Sequence, residues 1–130
     1  MVVAIMALAT AGVSLAMRDS AQTQLEREAQ RLAALLESAR AQSRASGVPV
    51  RWQPTDAGFH FDGLPSDNLP QQWMAPGIQA TLPQGMRALL LGPEPVIGAQ
   101  QTLLSLSSQP GRILVVATDG LRPFAVRAAE

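Results

Sequence analysis

The chain opens with MVVAIMALATAGVSLAM, a stretch without a charged side chain that runs into polar sequence with no helix-breaking cluster. A helix from Val2 to Met17 would be roughly 24 Å long at about 1.5 Å per residue. A bilayer core takes about 20 residues, or roughly 30 Å. The segment is therefore slightly short for a span, and we expect preceding residues of the same apolar helix upstream of Met1.

A buried core helix and a secretory signal peptide are the other interpretations of this segment. A signal peptide carries positive charge before its apolar run and a small-residue cleavage site after it. MVVAIM has no charge, SLAMRD is a poor cleavage site, and the first base, Arg18, follows the run. A membrane-embedded helix over residues 2–17 is the favoured interpretation.

The same helix is predicted to continue well beyond the apolar segment. From Ser20 to Ser46 there is no proline or glycine, good helix formers dominate, and Gly47 followed by Pro49 is a stop signal. Apolar residues recur in steps of four and three, which makes one face that needs a globular partner. The members of that face are Leu25, Ala29, Leu32, Leu36 and Ala39, widened by Leu35, and we expect Leu25, Leu32 and Leu36 to pack against a sheet.

Charged residues three positions apart are predicted to pair on the solvent sides of this helix. Glu28 can pair with Arg31, and Glu37 with Arg40, because residues three apart are neighbours on a helix surface. The prediction is one helix from about Val2 to about Ser46, apolar in its first third and amphipathic in the remainder.

The remaining residues, 47–130, show strand-like alternation separated by turn-forming sequence. GVPVRWQ and FHFDG predict a β-hairpin with Val48, Val50 and Trp52 on one strand face and Phe59 and Phe61 on one face of the other. About seven strands follow the helix, which predicts an α+β fold with an antiparallel β domain. The other predicted strands are IQATL, MRALLL, TLLSLS, RILVVAT and PFAVRA.

Turn signals predict how some of these strands connect. IQATL and MRALLL are predicted to pair around PQG. RILVVAT is continuously apolar and predicts a central strand covered on both faces, and Asp119–Gly120 after it is the strongest hairpin signal of the chain. LPSDNLPQQWMAPG and GPEPVIGAQQ predict surface loops, the first anchored by Trp73.

Composition and motifs argue against several functions. Ten acids balance ten bases, so there is no basic surface for nucleic acid. Without cysteine there is no disulfide, thiolate nucleophile or cysteine metal site. No G-x-S-x-G, P-loop or G-x-G-x-x-G motif occurs, and Trp52 and Trp73 are expected to pack in the core. We expect no enzymatic activity, no catalytic residues and no cofactor.

Metal binding is not predicted either. The single histidine, His60, lies between two phenylalanines and should point away from their face, and a lone histidine does not build the usual zinc site. Asp56, Asp62 and Asp67 lie in turn-like sequence, where carboxylates can bind calcium. No DxDxDG pattern accompanies them.

Several stretches of the chain resemble one protein family. The opening stretch resembles the N-terminal helix of type IV pilin-like proteins. Two further stretches resemble the minor pseudopilin H of type II secretion systems. They are LAALLESARAQSRASGVPVRWQPTDAGFHF and GPEPVIGAQQTLLSLSSQPGRILVVATDGLRPFAVR. The opening is typical of the whole superfamily, whereas the last stretch favours the H-type subunits. A T-type minor pilin of a type IV pilus is the alternative.

The resemblance implies a structural subunit near the tip of the secretion pseudopilus that assists export of folded proteins across the outer membrane. The implied partners are other minor pseudopilins, the major pseudopilin, the inner-membrane secretion platform and exoproteins. The implied location is the inner membrane, crossed once by residues 2–17, with the domain 47–130 in the periplasm. The implied membrane-spanning and assembly positions are Val2, Val3, Ile5, Ala7, Leu8, Ala11, Gly12, Val13 and Leu15.

One part of the family pattern has no counterpart in this sequence. The leader, the cleavage-site glycine, the methylated first residue and the acidic fifth residue are missing, so the prepilin cleavage and methylation site is absent here. We expect about 8 further mature residues and a basic leader upstream, from the length of a usual span. A less favoured alternative function is a membrane-anchored periplasmic binding domain that uses Trp73 and the LPSDNLPQQW loop.

Overall fold

The computed structural model describes the backbone of residues 2–65 and 68–128, and the side chains of residues 22–65, 68–109 and 111–128. In this part of the chain one helix precedes seven strands, which confirms the α+β prediction. The elements are α1 (Val2–Ser46), β1 (Val50–Pro54), β2 (Phe59–Asp62), β3 (Ile78–Thr81), β4 (Leu89–Gly92), β5 (Gln100–Leu106), β6 (Gln109–Thr118) and β7 (Ala125–Ala128).

The helix ends where the sequence places its stop signal. Gly47 has a φ of 75°, a left-handed conformation that glycine adopts without a steric penalty. Its N–H donates to the carbonyl of Ser43 over 2.8 Å, and the Ser43 hydroxyl donates to the carbonyl of Val48 over 2.6 Å. These two bonds satisfy main-chain groups at the helix end.

The predicted membrane segment concerns side chains that the structure does not describe. Those of residues 2–17 lie outside the described set, so the membrane assignment stays a prediction. Among the described residues, no helix combines the length and the apolar character that a membrane crossing requires.

The strands form two antiparallel sheets. One has the order β2-β1-β4 and the other β3-β5-β6-β7. The predicted β1–β2 hairpin is confirmed, with Trp52 opposite Phe61. The pairing predicted for IQATL and MRALLL is wrong: β3 pairs with β5, with Ile78 opposite Leu106, and β4 pairs with β1, with Trp52 opposite Leu89.

The connection between β3 and β4 explains that difference. Residues 82–88 cross from one sheet to the other; they contain a turn in which the Met86 N–H donates to the Pro83 carbonyl over 3.0 Å, but this turn does not join paired strands. Leu82 and Met86 within this connection pack against the hydrophobic core. Burial of these two side chains favours the crossing, because apolar area removed from water stabilises the fold.

The aromatic side chains gather on the three-stranded sheet. Trp52 is fully buried and Phe59 nearly so. The Phe59 ring centroid lies 6.0 Å from that of Trp52 and 5.9 Å from that of Phe61. Val48, which was predicted to share the face of Trp52, is instead 45% exposed, because β1 begins only at Val50, after the turn at Gly47.

The long strand β6 lies inside the four-stranded sheet, between β5 and β7. Val116 is fully buried on one face and Val115 is 4% exposed on the other, but Ile113 is 38% exposed. The prediction that both faces are covered is therefore wrong for part of the strand. Asp119 and Gly120 do connect β6 to its antiparallel partner β7, within a longer connection than a two-residue hairpin.

Candidate interaction surface

One face of α1 packs against strands of both sheets. Leu25 is 2% exposed, and Leu32 and Leu36 are completely buried. Ala29 and Ala39 of the same face are also buried, and their small side chains let the helix approach the sheets closely. Each of these residues belongs to the hydrophobic core cluster that the described residues form.

Glu28 was predicted to lie on a solvent side of the helix, and this prediction is wrong. It is only 4% exposed, and its Oε1 accepts the main-chain N–H of Met74 over 2.9 Å and that of Ala75 over 3.1 Å. The pairing with Arg31 is present, with 3.6 Å between Oε2 and Nη1. A buried carboxylate is stable when it is paired and accepts N–H groups, so the loop that folds over the helix draws Glu28 inward.

The same loop is held by further contacts. Arg31 Nη1 donates to the carbonyl of Gln72 over 3.1 Å, and the Phe59 N–H donates to the carbonyl of Gln71 over 3.0 Å. The predicted anchor Trp73 is half-buried, with its ring centroid 4.7 Å from that of Phe59 at an angle of 61°. Met74, the next residue, is 79% exposed.

Arg40 was also predicted to lie on a solvent side of the helix, but the structure shows that it is buried. It is 3% exposed. Its Nη2 donates to the carbonyls of Gly120 over 2.8 Å and Pro95 over 3.2 Å, and its Nη1 donates to that of Arg122 over 3.3 Å. The ion pair with Glu37 is present at 3.5 Å. Arg40 thus joins the helix to two separate loops.

These loops, residues 93–99 and 119–124, also contact one another and the helix directly. The Ile97 N–H donates to the carbonyl of Gly120 over 3.3 Å, and the Phe124 N–H donates to Oε2 of Glu37 over 3.1 Å. Gly120 has a φ of 100°, and a Cβ there would overlap the Ile97 carbonyl oxygen, so only glycine fits. The two loops expose Val96 by 60% and Leu121 by 70%.

Asp119 shapes the second of these loops. Its Oδ1 accepts the N–H of Arg122 over 2.8 Å and that of Leu121 over 2.9 Å. These bonds, that of Arg122 foremost, hold the pKa of the Asp119 carboxyl below its usual range, because they favour the ionised form. The carboxylate is exposed, and the Arg122 guanidinium lies 3.9 Å away.

Gln100 joins the two sheets. Its Oε1 accepts the N–H of Leu90 over 2.6 Å and its Nε2 donates to the Leu90 carbonyl over 2.8 Å. The side chain thereby bonds to β4 as an additional strand would, at an edge that otherwise has unpaired main-chain groups. Gln100 was predicted to lie in a surface loop, and this prediction is wrong: it is the first residue of β5 and is 9% exposed.

A cleft of about 460 Å³ lies on one face of the four-stranded sheet. Thr102 and Val116 belong to the other face of this sheet. The floor of the cleft includes Ala117 and Ala125, which are adjacent across the strands. Arg127 lies beside it and donates to Gln101 Oε1 over 3.2 Å. Small side chains in this row leave the cleft open.

The described part of the chain has no group of three or more histidine, cysteine, aspartate or glutamate side chains positioned to bind a metal ion. His60 is half-buried, at a strand position between the two inward-facing phenylalanines. Asp56 and Asp62 are exposed, and Asp67 lies outside the described residues. Trp52 and Trp73 both pack against other aromatic rings.

The residues predicted to span the membrane and to act in assembly, from Val2 to Leu15, lie outside the described side chains. The buried charged positions that the sequence pattern did not predict are Glu28 and Arg40. A signal for them was present, because Glu28 lies three residues after Leu25 and Arg40 four after Leu36, which places both on the apolar helix face. An acid or base at such a position must find a partner inside.

Comparison with known proteins identifies the family. The family model described as type II transport protein GspH matches residues 28–127, which is more than half of the chain and includes Glu28, Arg40, the exposed loops, six strands and all but the last residue of β7. No curated protein and no solved structure gives a significant match. The chain belongs to the GspH family of type II transport proteins, and is a component of type II secretion.

Proposed function

We propose that the chain is a minor pseudopilin, a structural subunit near the tip of the type II secretion pseudopilus that assists export of folded proteins across the outer membrane. Residues 2–17 would lie in the inner membrane and the domain 47–130 in the periplasm. Its partners would be other minor pseudopilins, the major pseudopilin, the inner-membrane platform and exoproteins. The subunit would act without catalysing a reaction.

The observation that carries the proposal is the connection of an apolar segment to a family-matched domain through one helix. The match to GspH begins at Glu28, within α1, which runs without interruption from Val2 to Ser46. Such a helix of about 1.5 Å rise per residue would link a membrane segment to the periplasmic domain without a flexible joint.

The mechanism follows from the two environments of that helix. In the membrane the apolar segment contacts lipid, and in a fibre it would contact the helices of neighbouring subunits. Lipid tails and apolar side chains are similarly apolar surroundings for such a segment, so its transfer from membrane to fibre gains little from the hydrophobic effect. Close packing and polar pairing between helices must therefore favour the fibre. The globular domain would select neighbours through its exposed loops, while the force for assembly comes from outside this chain.

Exoprotein export in the native bacterium tests the proposal. In a strain that lacks this subunit, folded exoproteins should accumulate in the periplasm, and the wild-type subunit expressed from its natural gene should restore their release into the medium. Surface pili and pilus-dependent motility, measured in the same strain, should be unchanged. Normal export without the subunit would contradict the proposal, and loss of pili with normal export would favour the T-type minor pilin.

A further inference from the structure

Met74 lies at the rim of a cleft of about 250 Å³ between the helix and the loop that Glu28 holds. Gln24, Arg27 and Arg31 contribute the helix side, and Pro76 follows on the loop side. We call these five residues the Met74 surface. A methionine that is 79% exposed in a soluble domain has no role in the core, and methionine and arginine are both enriched at protein interfaces.

The loop conformation at this surface is fixed before any partner arrives. Glu28 accepts two consecutive N–H groups, those of Met74 and Ala75, and Arg31 bonds to the carbonyl of Gln72. Binding to a loop that is already ordered avoids the entropic cost of ordering it. The contacts therefore present Met74 in a defined position.

The charge at this surface is positive. Glu28 balances the charge of Arg31, with which it pairs at 3.6 Å, so the net positive charge comes from Arg27. Arg27 is exposed and forms no ion pair with a described residue. The exposed neighbour Glu26 accepts a bond from Gln22 over 3.1 Å, on the side of the helix that faces away from Arg31. An apolar centre with a cationic rim is thus left open.

We infer that the Met74 surface docks a different subunit of the pseudopilus through an apolar pocket rimmed by carboxylates. This inference rests on the proposed function, because it takes the partner from the same fibre. A second copy in a two-fold arrangement would place Arg27 and Arg31 near their own equivalents, and like charges across an interface are unfavourable. Two arginines are also fewer than the four to eight bases of a typical anionic-lipid site.

Photo-crosslinking in the native bacterium tests this inference. A benzophenone amino acid replaces Met74 in the full-length chain, and a second strain carries it at Ala11 of the apolar segment. Ultraviolet light should join position 74 to another pseudopilin, identified by mass spectrometry. Arg27→Glu in the same chain should lower the yield by about fivefold or more, because it places an acid against the carboxylates of the partner.

Arg44→Glu is the matched control, because Arg44 is exposed on the same helix far from the Met74 surface and forms no ion pair with a described residue. Its yield should stay within about twofold of the parent, as for a surface charge outside the contact. An adduct with lipid, with a second copy or with a protein outside the fibre would overturn the inference, as would equal effects of the two variants. Absence of an adduct at position 74 alone overturns only the docking surface, whereas absence of pseudopilin adducts at both positions overturns the proposed function.

Discussion

At the scale of single residues, the main structural feature is the use of buried charge to hold loops. Glu28 bonds to the loop that follows Gln72, and Arg40 bonds to three carbonyls in two other loops. A charge taken out of water is costly unless it is paired and hydrogen-bonded. Here the partners are largely main-chain groups, so the loop conformations depend on these two side chains.

Arg40→Ala should lower the free energy of unfolding by about 3–5 kcal/mol, the usual cost of breaking a buried charged network. Urea unfolding of residues 22–130 would measure it, since this fragment contains every member of the core cluster. Arg44→Ala is the control and should change the value by less than about 0.5 kcal/mol. Equal effects of the two substitutions would show that the carbonyl contacts do not contribute.

Asp119 predicts a specific pH dependence of stability. Its pKa is lower in the folded chain, so its contribution is complete above the unfolded value of about 4 and is lost as the pH falls through the folded value. Asp119→Asn keeps an acceptor oxygen but does not titrate. The Tm advantage of the wild-type fragment over this variant should therefore shrink between about pH 6 and about pH 3. A constant Tm difference would contradict the assigned role.

The sequence indicates both the ion pairs of Glu28 and Arg40 and their position on the apolar helix face, but the rule for pairs three residues apart uses only the first. Spacing of three or four residues predicted both ion pairs correctly, Glu28 with Arg31 and Glu37 with Arg40. Spacing did not identify the other partners of Glu28 and Arg40, because these partners are main-chain groups in loops more than forty residues away. Main-chain N–H and C=O groups are the same at every position, so no sequence pattern marks which ones a side chain will bind.

At the scale of elements, the helix organises the domain. Its apolar face contacts strands of both sheets, and its polar residues bond to three loops. The sequence predicted all seven strands, because alternation and turn signals are local. It did not predict the partners of β3 and β4, since pairing depends on burial of Leu82 and Met86 in the connection that crosses between the sheets.

Leu32→Ala or Leu36→Ala should each lower the free energy of unfolding by about 2–5 kcal/mol, as expected when a buried leucine leaves a cavity. Both side chains are completely buried. Leu121→Ala is the control, because Leu121 is 70% exposed and its removal should cost less than about 0.5 kcal/mol. A loss below that value at Leu32 would mean that the helix does not pack through this face.

The apolar segment gives a prediction about assembly. Ala7, Ala11 and Gly12 are small residues, and small residues let membrane helices approach closely. Replacing all three by leucine should keep the chain in the membrane fraction but reduce exoprotein release in a strain that lacks the wild-type subunit. Full release would show that the segment is only an anchor. Loss of the variant from the membrane fraction would contradict the expectation that leucine preserves insertion.

At the scale of the whole molecule, the chain combines two parts with different requirements. The opening segment is uncharged over its whole length, and the domain that follows has an ordered core and displays Met74, Val96 and Leu121 on loops fixed to the helix. A subunit that joins a fibre needs both a helix that can pack among helices and a surface that distinguishes neighbours. The family match to GspH covers residues 28–127, which are the end of the helix from Glu28 onward and nearly all of the domain that follows.

The position of the subunit in the fibre tests the central claim most directly. Fibres would be sheared from cells that overproduce the major pseudopilin and labelled with gold-coupled antibodies against residues 47–130. A minor subunit near the tip should give label at one end of each fibre and none along the shaft. Label distributed along the shaft, or its absence from fibres that form normally, would contradict the proposed role.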